Sequence, residues 1–246
     1  MQRPNIAAAR CKLDAAPGMS YLWVGRRCLV NPEMPQPHER ILVMADKTVI
    51  TDCPINKLLT ERWSPYAFDQ RPVLEEDLRC LFEAARWAPS SYNEQPWSYI
   101  VATKATPDEF QRLLSCLVDG NQVWAKNAPV LALGIVSLKF ARNGENNRAA
   151  VHDLGLASAN LSFEATARGL CIHQMIGILP EKAREVYRIP DGFEAWTGLA
   201  IGHPGDPNKL PAEIAKRDAA RRPRKPVREF VFGGKWGNPS PTVLNK

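Results

Sequence analysis

The segment RWAPSSYNEQPW, residues Arg86–Trp97, decides how the chain changes from helix to strand. Pro89 disfavours a helical conformation at Ala88, so the preceding helix is predicted to end next to this position. The polar loop Ser90–Gln95 follows, and Trp97–Thr103 is rich in the aromatic and β-branched residues that favour a strand. The sequence therefore predicts a short loop with a proline on either side of it.

The region before this segment has the pattern of an amphipathic helix. Acidic residues lie near its start, where the helix dipole favours them. A second helix is predicted to run from Thr106 through about Val118, because Thr106 and Glu109 form a capping box with Pro107 at the first helical position. The apolar positions of the first helix are Leu74, Leu78, Leu81, Phe82 and Ala85.

The rest of the chain mixes helices and strands without regular βαβ spacing. A long Ala-rich helix is predicted over Asn147–Arg168, with Gly169 as its cap, and a polar helix near Pro211–Ala220. The residues Pro129–Val136 form a continuous apolar run of strand length. Such a run indicates a strand that is buried on both faces. The predicted later strands are Pro129–Val136, Ala195–Ile201 and Glu229–Phe232. This arrangement predicts an α+β fold.

Length and composition indicate one folded domain. The chain has 246 residues, of which 45% are hydrophobic, so it can bury a full core. Residues 1–50 lack a sustained helical or strand period and are predicted to be a poorly ordered extension. The domain is predicted to cover residues 51–240, and residues 241–246 form a tail.

The cysteines and histidines indicate neither a disulfide framework nor a metal centre. The six cysteines include no C-x-x-C pair, and the four histidines are scattered. Reduced thiols are typical of a cytoplasmic protein. The chain has no run of about 18 apolar residues and no apolar signal segment near its start. We therefore expect a cytoplasmic protein that binds no metal and does not enter a membrane.

A basic segment, Lys216–Arg228, accounts for the net charge of +6. Such a run is compatible with nucleic-acid binding or with binding of a phosphorylated ligand. Its prolines interrupt any helical face, and it has no interleaved aromatic residues for base stacking. These features make nucleic-acid binding the less favoured of the two.

Motifs for nucleophilic, metal-dependent or phosphate-loop catalysis are absent from the sequence. We predict no catalytic side chain, and any chemistry is expected to come from a bound cofactor.

Several blocks in a fixed order resemble the nitroreductase family of FMN-dependent oxidoreductases, over roughly Leu59 to Gly237. The loop APSSYNEQPW is the most specific of them. The blocks are Arg62–Phe68 (RWSPYAF), Pro72-Val73, Ala88–Trp97 (APSSYNEQPW), Asp153–Leu161 (DLGLASANL), Ala165–Leu170 (ATARGL), Ile176-Gly177, Ile201–Pro204 (IGHP) and Arg222–Pro226 (RPRKP).

The resemblance implies a fold and an activity. The fold is a central antiparallel sheet flanked by helices, in an intertwined homodimer with an FMN in each of two interface sites. NADH or NADPH would reduce FMN by hydride transfer in a ping-pong mechanism, and a nitroaromatic, a quinone or a similar small molecule would accept the electrons. The alternatives are a non-catalytic FMN-binding protein and a basic-tailed nucleic-acid binder.

Five residues are implied at the phosphate and ribityl end of FMN: Arg62, Trp63, Ser64, Arg222 and Arg224. Guanidinium groups bind phosphate bidentately, and the alternation of arginine with proline keeps the chain extended, so that both arginines of the later pair can face one ligand. A solvated charged tail is the alternative for this later pair.

Four residues are implied near the flavin ring: Asn93, Gln95, Ile176 and Gly177. An amide offers donors and an acceptor to the flavin edge, although an Asx turn would also explain the asparagine. The missing Cβ of Gly177 would let a backbone N–H approach the ring. Tyr66 stands where many relatives have Lys or Arg, which predicts a lower flavin reduction potential than in those relatives.

Overall fold

The computed structural model describes residues 21–24, 27–30 and 49–244. Strands β1 (Tyr21–Val24) and β2 (Arg27–Val30) form an antiparallel hairpin, which belongs to a separate unit from residues 49–244. Apart from these strands and the last two positions, the predicted extension over residues 1–50 lies outside the described residues.

Residues 49–244 form a mixed α and β unit, in agreement with the α+β prediction. The α-helices are α1 (Lys57–Glu61), α2 (Glu75–Arg86), α3 (Pro107–Leu114), α4 (Asp119–Ala125), α5 (Ala150–Ala167), α6 (Pro180–Tyr187) and α7 (Ala212–Ala219). The strands are β3 (Trp97–Thr103), β4 (Val130–Ser137), β5 (Cys171–Met175) and β6 (Phe193–Gly202). In the part of the chain that the structure describes, no helix has the length and apolar character to cross a bilayer.

The central sheet has the strand order β3-β4-β6-β5, and every neighbouring pair is antiparallel. Successive residues of β4 point to opposite faces, and both faces are buried, as predicted. Leu131 and Leu133 pack in one core cluster with residues of α3, α4 and α6. Val130 and Ala132 pack in another with residues of α2 and α5. The sheet is therefore covered by helices on both sides.

The second predicted helix is too long. Helix α3 ends at Leu114, and Cys116 and Leu117 form turns instead, by donating to Leu113 and Leu114 oxygens. The chain is then extended at Val118, the residue directly before α4. The predicted capping box does not form: the Thr106 side chain makes no capping hydrogen bond, and its hydroxyl donates instead to the carbonyl of Thr103.

Two other boundaries differ from the prediction. The predicted strand Glu229–Phe232 is instead a 3₁₀ turn over Val227–Glu229, followed by an isolated bridge between Phe232 and Pro239. The backbone of this region pairs with itself rather than with the sheet. Helix α5 begins three residues after Asn147, because the Asn147 side chain accepts a hydrogen bond from the Ala149 N–H and holds a turn there.

Candidate functional site

The segment that begins at Arg62 is fixed against the end of β6. Gly205 donates to the Ala67 carbonyl, and Asp69 donates to the His203 carbonyl, both at 2.9 Å. A Cβ on Gly205 would lie 2.4 Å from the carbonyl carbon of Phe68, so only glycine permits this approach. These contacts set the position of the predicted phosphate-binding residues just before them.

The same segment is tied to α7. The buried carboxylate of Asp218 accepts hydrogen bonds from the backbone N–H groups of Tyr66, at 2.5 Å, and Ala67, at 3.4 Å. Because Asp218 lies near the end of α7, this contact brings the start of the basic segment next to the residues around Arg62. Two predicted parts of the site, far apart in sequence, therefore meet.

Three arginines and a serine form what we call the arginine cluster: Arg62, Arg222, Arg224 and Ser64. Arg222 donates to the carbonyls of Arg62 and of Thr60, the latter at 3.3 Å, and Arg62 Nη1 lies 3.2 Å from Ser64 Oγ. Burial and then the charge of Arg224 lower the pKa of Arg62. Burial and then the charges of Arg62 and Arg224 lower the pKa of Arg222. The three cations are thus close enough to repel one another.

A cavity of about 290 Å³ opens beside the arginine cluster. Its Gln174 side chain is oriented by hydrogen bonds from Nε2 to the Ser158 carbonyl at 3.2 Å and to Ser162 Oγ at 3.0 Å. The predicted Trp63 is 7% exposed and belongs to the core rather than to this lining. The lining residues are Arg62, Ser64, Ala159, Ser162, Phe163, Ile172 and Gln174. Guanidinium, hydroxyl and amide groups at one cavity are suited to an anionic, oxygen-rich ligand.

The predicted flavin loop, Ser90–Gln95, has a strained backbone. Tyr92, Asn93 and Gln95 have φ values of 54°, 56° and 51°, in the left-handed region that L-residues disfavour. The Ser90 hydroxyl holds the loop closed by accepting from the Gln95 N–H at 3.0 Å. The Asn93 and Gln95 side chains belong to exposed residues, so both are accessible to a ligand.

Two contacts that the sequence did not predict hold this loop in place. The Asp153 carboxylate of α5, which is buried, accepts from the Ser91 N–H at 3.0 Å. The Glu94 carboxylate accepts a hydrogen bond from the Ala141 N–H. No local sequence signal marked these partners, since each contact joins residues far apart in the chain.

The turn at Ile176 and Gly177 follows β5. Gly177 is close to α4, because its carbonyl accepts from Asn121 Nδ2 at 2.9 Å and from the Val118 N–H at 3.2 Å. A Cβ at this glycine would lie 2.6 Å from Asn121 Nδ2. The Asn121 and Val118 side chains therefore leave little room for a Cβ at this position. Ile176 is 75% exposed.

The structure brings together four of the predicted residues in the arginine cluster. Trp63 lies in the same segment but is buried, and the residues predicted near the flavin ring lie on two other loops. Helix α5 links two of these places: Asp153 holds the flavin loop, and Ser162, nine residues later, lines the cavity. Nine residues of α-helix span roughly 14 Å. In residues 49–244, no cluster of three or more His, Cys, Asp or Glu side chains is placed to hold a metal ion.

Comparison with known proteins decides the family. Residues 59–203 match the model of the nitroreductase family. A solved structure described as an oxidoreductase containing FMN is 34% identical, with a TM-score of 0.73, and the match covers 78% of this chain and 98% of that protein. This chain belongs to the nitroreductase family. The resemblance seen in the sequence is thereby confirmed.

Two named relatives of this nitroreductase-family chain are flavin reductases. The FMN reductase (NAD(P)H) of Bacillus subtilis is 28% identical over 167 residues, which are 61% of this chain and 66% of that protein. The major NAD(P)H-flavin oxidoreductase of Aliivibrio fischeri is 27% identical over 195 residues, which are 62% of this chain and 89% of that protein.

In this nitroreductase-family chain, Tyr66 packs inside an aromatic cluster. Its ring centroid lies 5.1 Å from that of Trp124 and 4.6 Å from that of His173, both in edge-to-face geometry. His173 Nδ1 lies 2.9 Å from the Pro65 carbonyl, which can only accept, so this nitrogen carries the hydrogen. The predicted effect of Tyr66 on the flavin potential stays a prediction.

The His173 imidazole predicts a loss of stability in acid. Burial lowers its pKa below the ordinary value of about 6.5. The unfolded chain therefore binds the proton more tightly, and stability present above pH 6.5 is lost as the pH falls towards the lowered pKa. We expect His173→Gln to make Tm less dependent on pH between 7.5 and 5, measured by circular dichroism.

His152→Gln is the matched control for this titration, because His152 is an exposed histidine. It should not reproduce the effect of His173→Gln. Burial also lowers the pKa of His203, so some dependence should remain in the His173 variant. Equal slopes for the His173 variant and the wild type would contradict the prediction.

Proposed function

We propose that this chain is an FMN-dependent oxidoreductase that takes electrons from NAD(P)H and passes them to a small acceptor such as a nitroaromatic or a quinone. The observation that carries the proposal is the arginine cluster beside the cavity of about 290 Å³. The names of the relatives in Bacillus subtilis and Aliivibrio fischeri support the flavin and the donor.

The arginine cluster has the chemistry needed to hold the FMN phosphate. Burial first, and then the charges of the neighbouring arginines, lower the pKa of Arg62 and of Arg222. A phosphate monoester with nearly two negative charges would favour the charged form of both groups. Ser64 adds a hydroxyl donor at the same cavity. Arg222 also fixes the backbone around Arg62, so it both binds and positions.

The ring end of FMN is assigned to the flavin loop and to the turn after β5. Asn93 and Gln95 would offer amide donors and acceptors, held by the strained loop backbone. Ile176 and Gly177 would offer a backbone N–H group. When bound, FMN supplies the redox chemistry, accepting a hydride and passing on its electrons. The protein binds and orients the reactants, and no side chain is assigned as a nucleophile or base.

The proposal includes an intertwined homodimer with the flavin sites at its interface. Large apolar side chains left exposed by a single chain support it, notably Trp236 at 91% and Phe230 at 58%. We place the protein in the cytoplasm. The cysteines described as free, which are Cys53, Cys80, Cys116 and Cys171, are consistent with a reducing compartment.

An anaerobic titration with NADH and with NADPH tests the proposed function. The purified protein should be yellow, and at least one nucleotide should bleach its visible flavin absorbance. Air or a quinone should then restore the colour. These measurements follow the cofactor directly, without assuming which acceptor is used in the cell.

The alternatives give different results in this titration. A non-catalytic FMN-binding protein would stay yellow with both nucleotides. A nucleic-acid binder would be colourless and would bind generic DNA with strong salt dependence. The contacts of Arg222 with the Thr60 and Arg62 carbonyls argue against this last reading, because they engage the basic segment within the fold.

A further inference from the structure

The segment between β4 and α5 carries a positive charge beside the flavin loop. Its exposed charged residues include Lys139, Arg142 and Arg148, against Glu145. The Glu94 carboxylate of the flavin loop accepts from the Ala141 N–H, so Arg142 follows directly after an anchored position. The Arg142 side chain therefore lies next to the flavin loop, on a segment that is hydrogen-bonded to that loop.

Aromatic rings hold the Arg142 guanidinium. Its central carbon lies 4.5 Å from the ring centroid of Tyr92 and 5.1 Å from that of Phe140. The two rings are themselves in edge-to-face contact at 5.9 Å. Stacking on rings fixes a guanidinium without using its N–H donors. We call this arrangement the arginine shelf.

The donors of the arginine shelf remain available for a ligand. Among residues 49–244, no oxygen accepts a hydrogen bond from the Arg142 guanidinium, and no carboxylate pairs with it. Tyr92, the ring below it, is 76% exposed and immediately precedes Asn93. A ligand that reaches Asn93 along this side would therefore meet an oriented cation with five N–H groups.

We propose that Arg142 binds the diphosphate of the nicotinamide dinucleotide that reduces the flavin. This inference rests on the proposed function and extends it to the site of the electron donor. Nitroaromatics and quinones need carry no anionic group, whereas NADH and NADPH always carry a diphosphate. The guanidinium binds its oxygens bidentately, and the neighbouring cations attract it. Arg142 takes no part in the hydride transfer, so it is a binding and positioning residue.

The first test measures the binding of ADP-ribose, which has the diphosphate but no nicotinamide, to the FMN-loaded protein by calorimetry. Arg142→Ala should raise its Kd by about tenfold or more, because a charge-assisted contact is lost. Arg142→Lys keeps the positive charge but loses the bidentate guanidinium, so its Kd should lie between those of Arg142→Ala and the wild type. Lys139→Ala is the matched control, since it removes an exposed cation from the same segment. It should change Kd by less than about threefold.

The second test compares two reductants of the bound flavin in anaerobic stopped flow. With NADH, Arg142→Ala should require about tenfold more donor for half-maximal reduction. With 1-benzyl-1,4-dihydronicotinamide, which has no diphosphate, the variant and wild type should react alike. The flavin content and its visible spectrum should be unchanged in the variant.

Several outcomes overturn the inference. One is that Arg142→Ala leaves the Kd for ADP-ribose unchanged. Another is that Arg142→Ala and Lys139→Ala raise this Kd equally. A third is that Arg142→Ala impairs flavin reduction equally with NADH and with 1-benzyl-1,4-dihydronicotinamide. The last result would assign Arg142 to the flavin pocket itself. If the wild-type protein contains no flavin, or if neither reductant bleaches its flavin, the proposed function itself is refuted. This result differs from every outcome that refutes the role of Arg142 alone.

Discussion

Replacing Arg62 and Arg224 together by alanine is expected to give a folded protein that has lost FMN but binds riboflavin with unchanged affinity. Each charge-assisted hydrogen bond to phosphate contributes about 1.5–3 kcal/mol, so two losses raise the Kd for FMN on the order of 10²- to 10⁴-fold. Riboflavin lacks the phosphate, so its Kd should be the same for the variant and the wild type. Quenching of flavin fluorescence on binding to apoprotein measures both dissociation constants.

Arg222 is deliberately left intact in this variant. It donates to the carbonyls of Thr60 and Arg62, so its removal would also disturb the backbone of the site. By contrast, the contacts of Arg62 with Ser64 and of Arg224 with the carbonyls of Arg222 and Pro223 are local. Their loss should cost little stability.

The control removes the same charge from the same region. Arg221 and Lys225 are exposed neighbours of the arginine cluster, and their double alanine variant changes the net charge by the same amount. It should retain FMN with nearly wild-type affinity. If both double variants lose FMN equally, the phosphate is attracted by general charge and is not held by the arginine cluster.

The local part of the fold was predictable because its signals are local. Strand β3 agrees with its predicted range, since a proline precedes it and β-branched and aromatic residues fill it. The C-terminal end of α2 and the buried run of β4 follow from similar signals. The short helices α1, α4 and α6 and the strand β5 were not predicted. Their five to eight residues give too few turns or alternations for a clear period.

The residues of the candidate site likewise differ in how far the sequence could predict them. Arg62 and Arg222 are 160 positions apart, and only the family resemblance joined them before the structure did. Asp153, Phe140 and Arg142 were missed as functional residues, because their importance comes from contacts with the flavin loop. Asp153, for example, is 62 positions from its partner Ser91. A charged residue on a helix shows its role only when its tertiary partner is known.

The second large effect is expected at Asp153, the buried carboxylate that holds the flavin loop. Its contact with the Ser91 N–H opposes the tendency of Tyr92, Asn93 and Gln95 to leave their left-handed conformations. Asp153→Ala leaves that N–H without its acceptor, so the free energy of unfolding should fall by about 2–3 kcal/mol. The released loop should also weaken FMN binding by about tenfold or more, because the ligand must then order the loop.

Two variants separate this role from a general effect of charge. Asp153→Asn keeps an oxygen that can accept from the Ser91 N–H and should recover at least half of the lost stability. Asp119→Ala removes an exposed acid from the first turn of α4 and should change the free energy of unfolding by less than about 1 kcal/mol. Urea unfolding measures the free energy of unfolding. Hydrogen exchange of the backbone amides measures whether the flavin loop is released. Unchanged exchange at Ser91–Gln95 in Asp153→Ala would show that the loop keeps its strained conformation without the carboxylate.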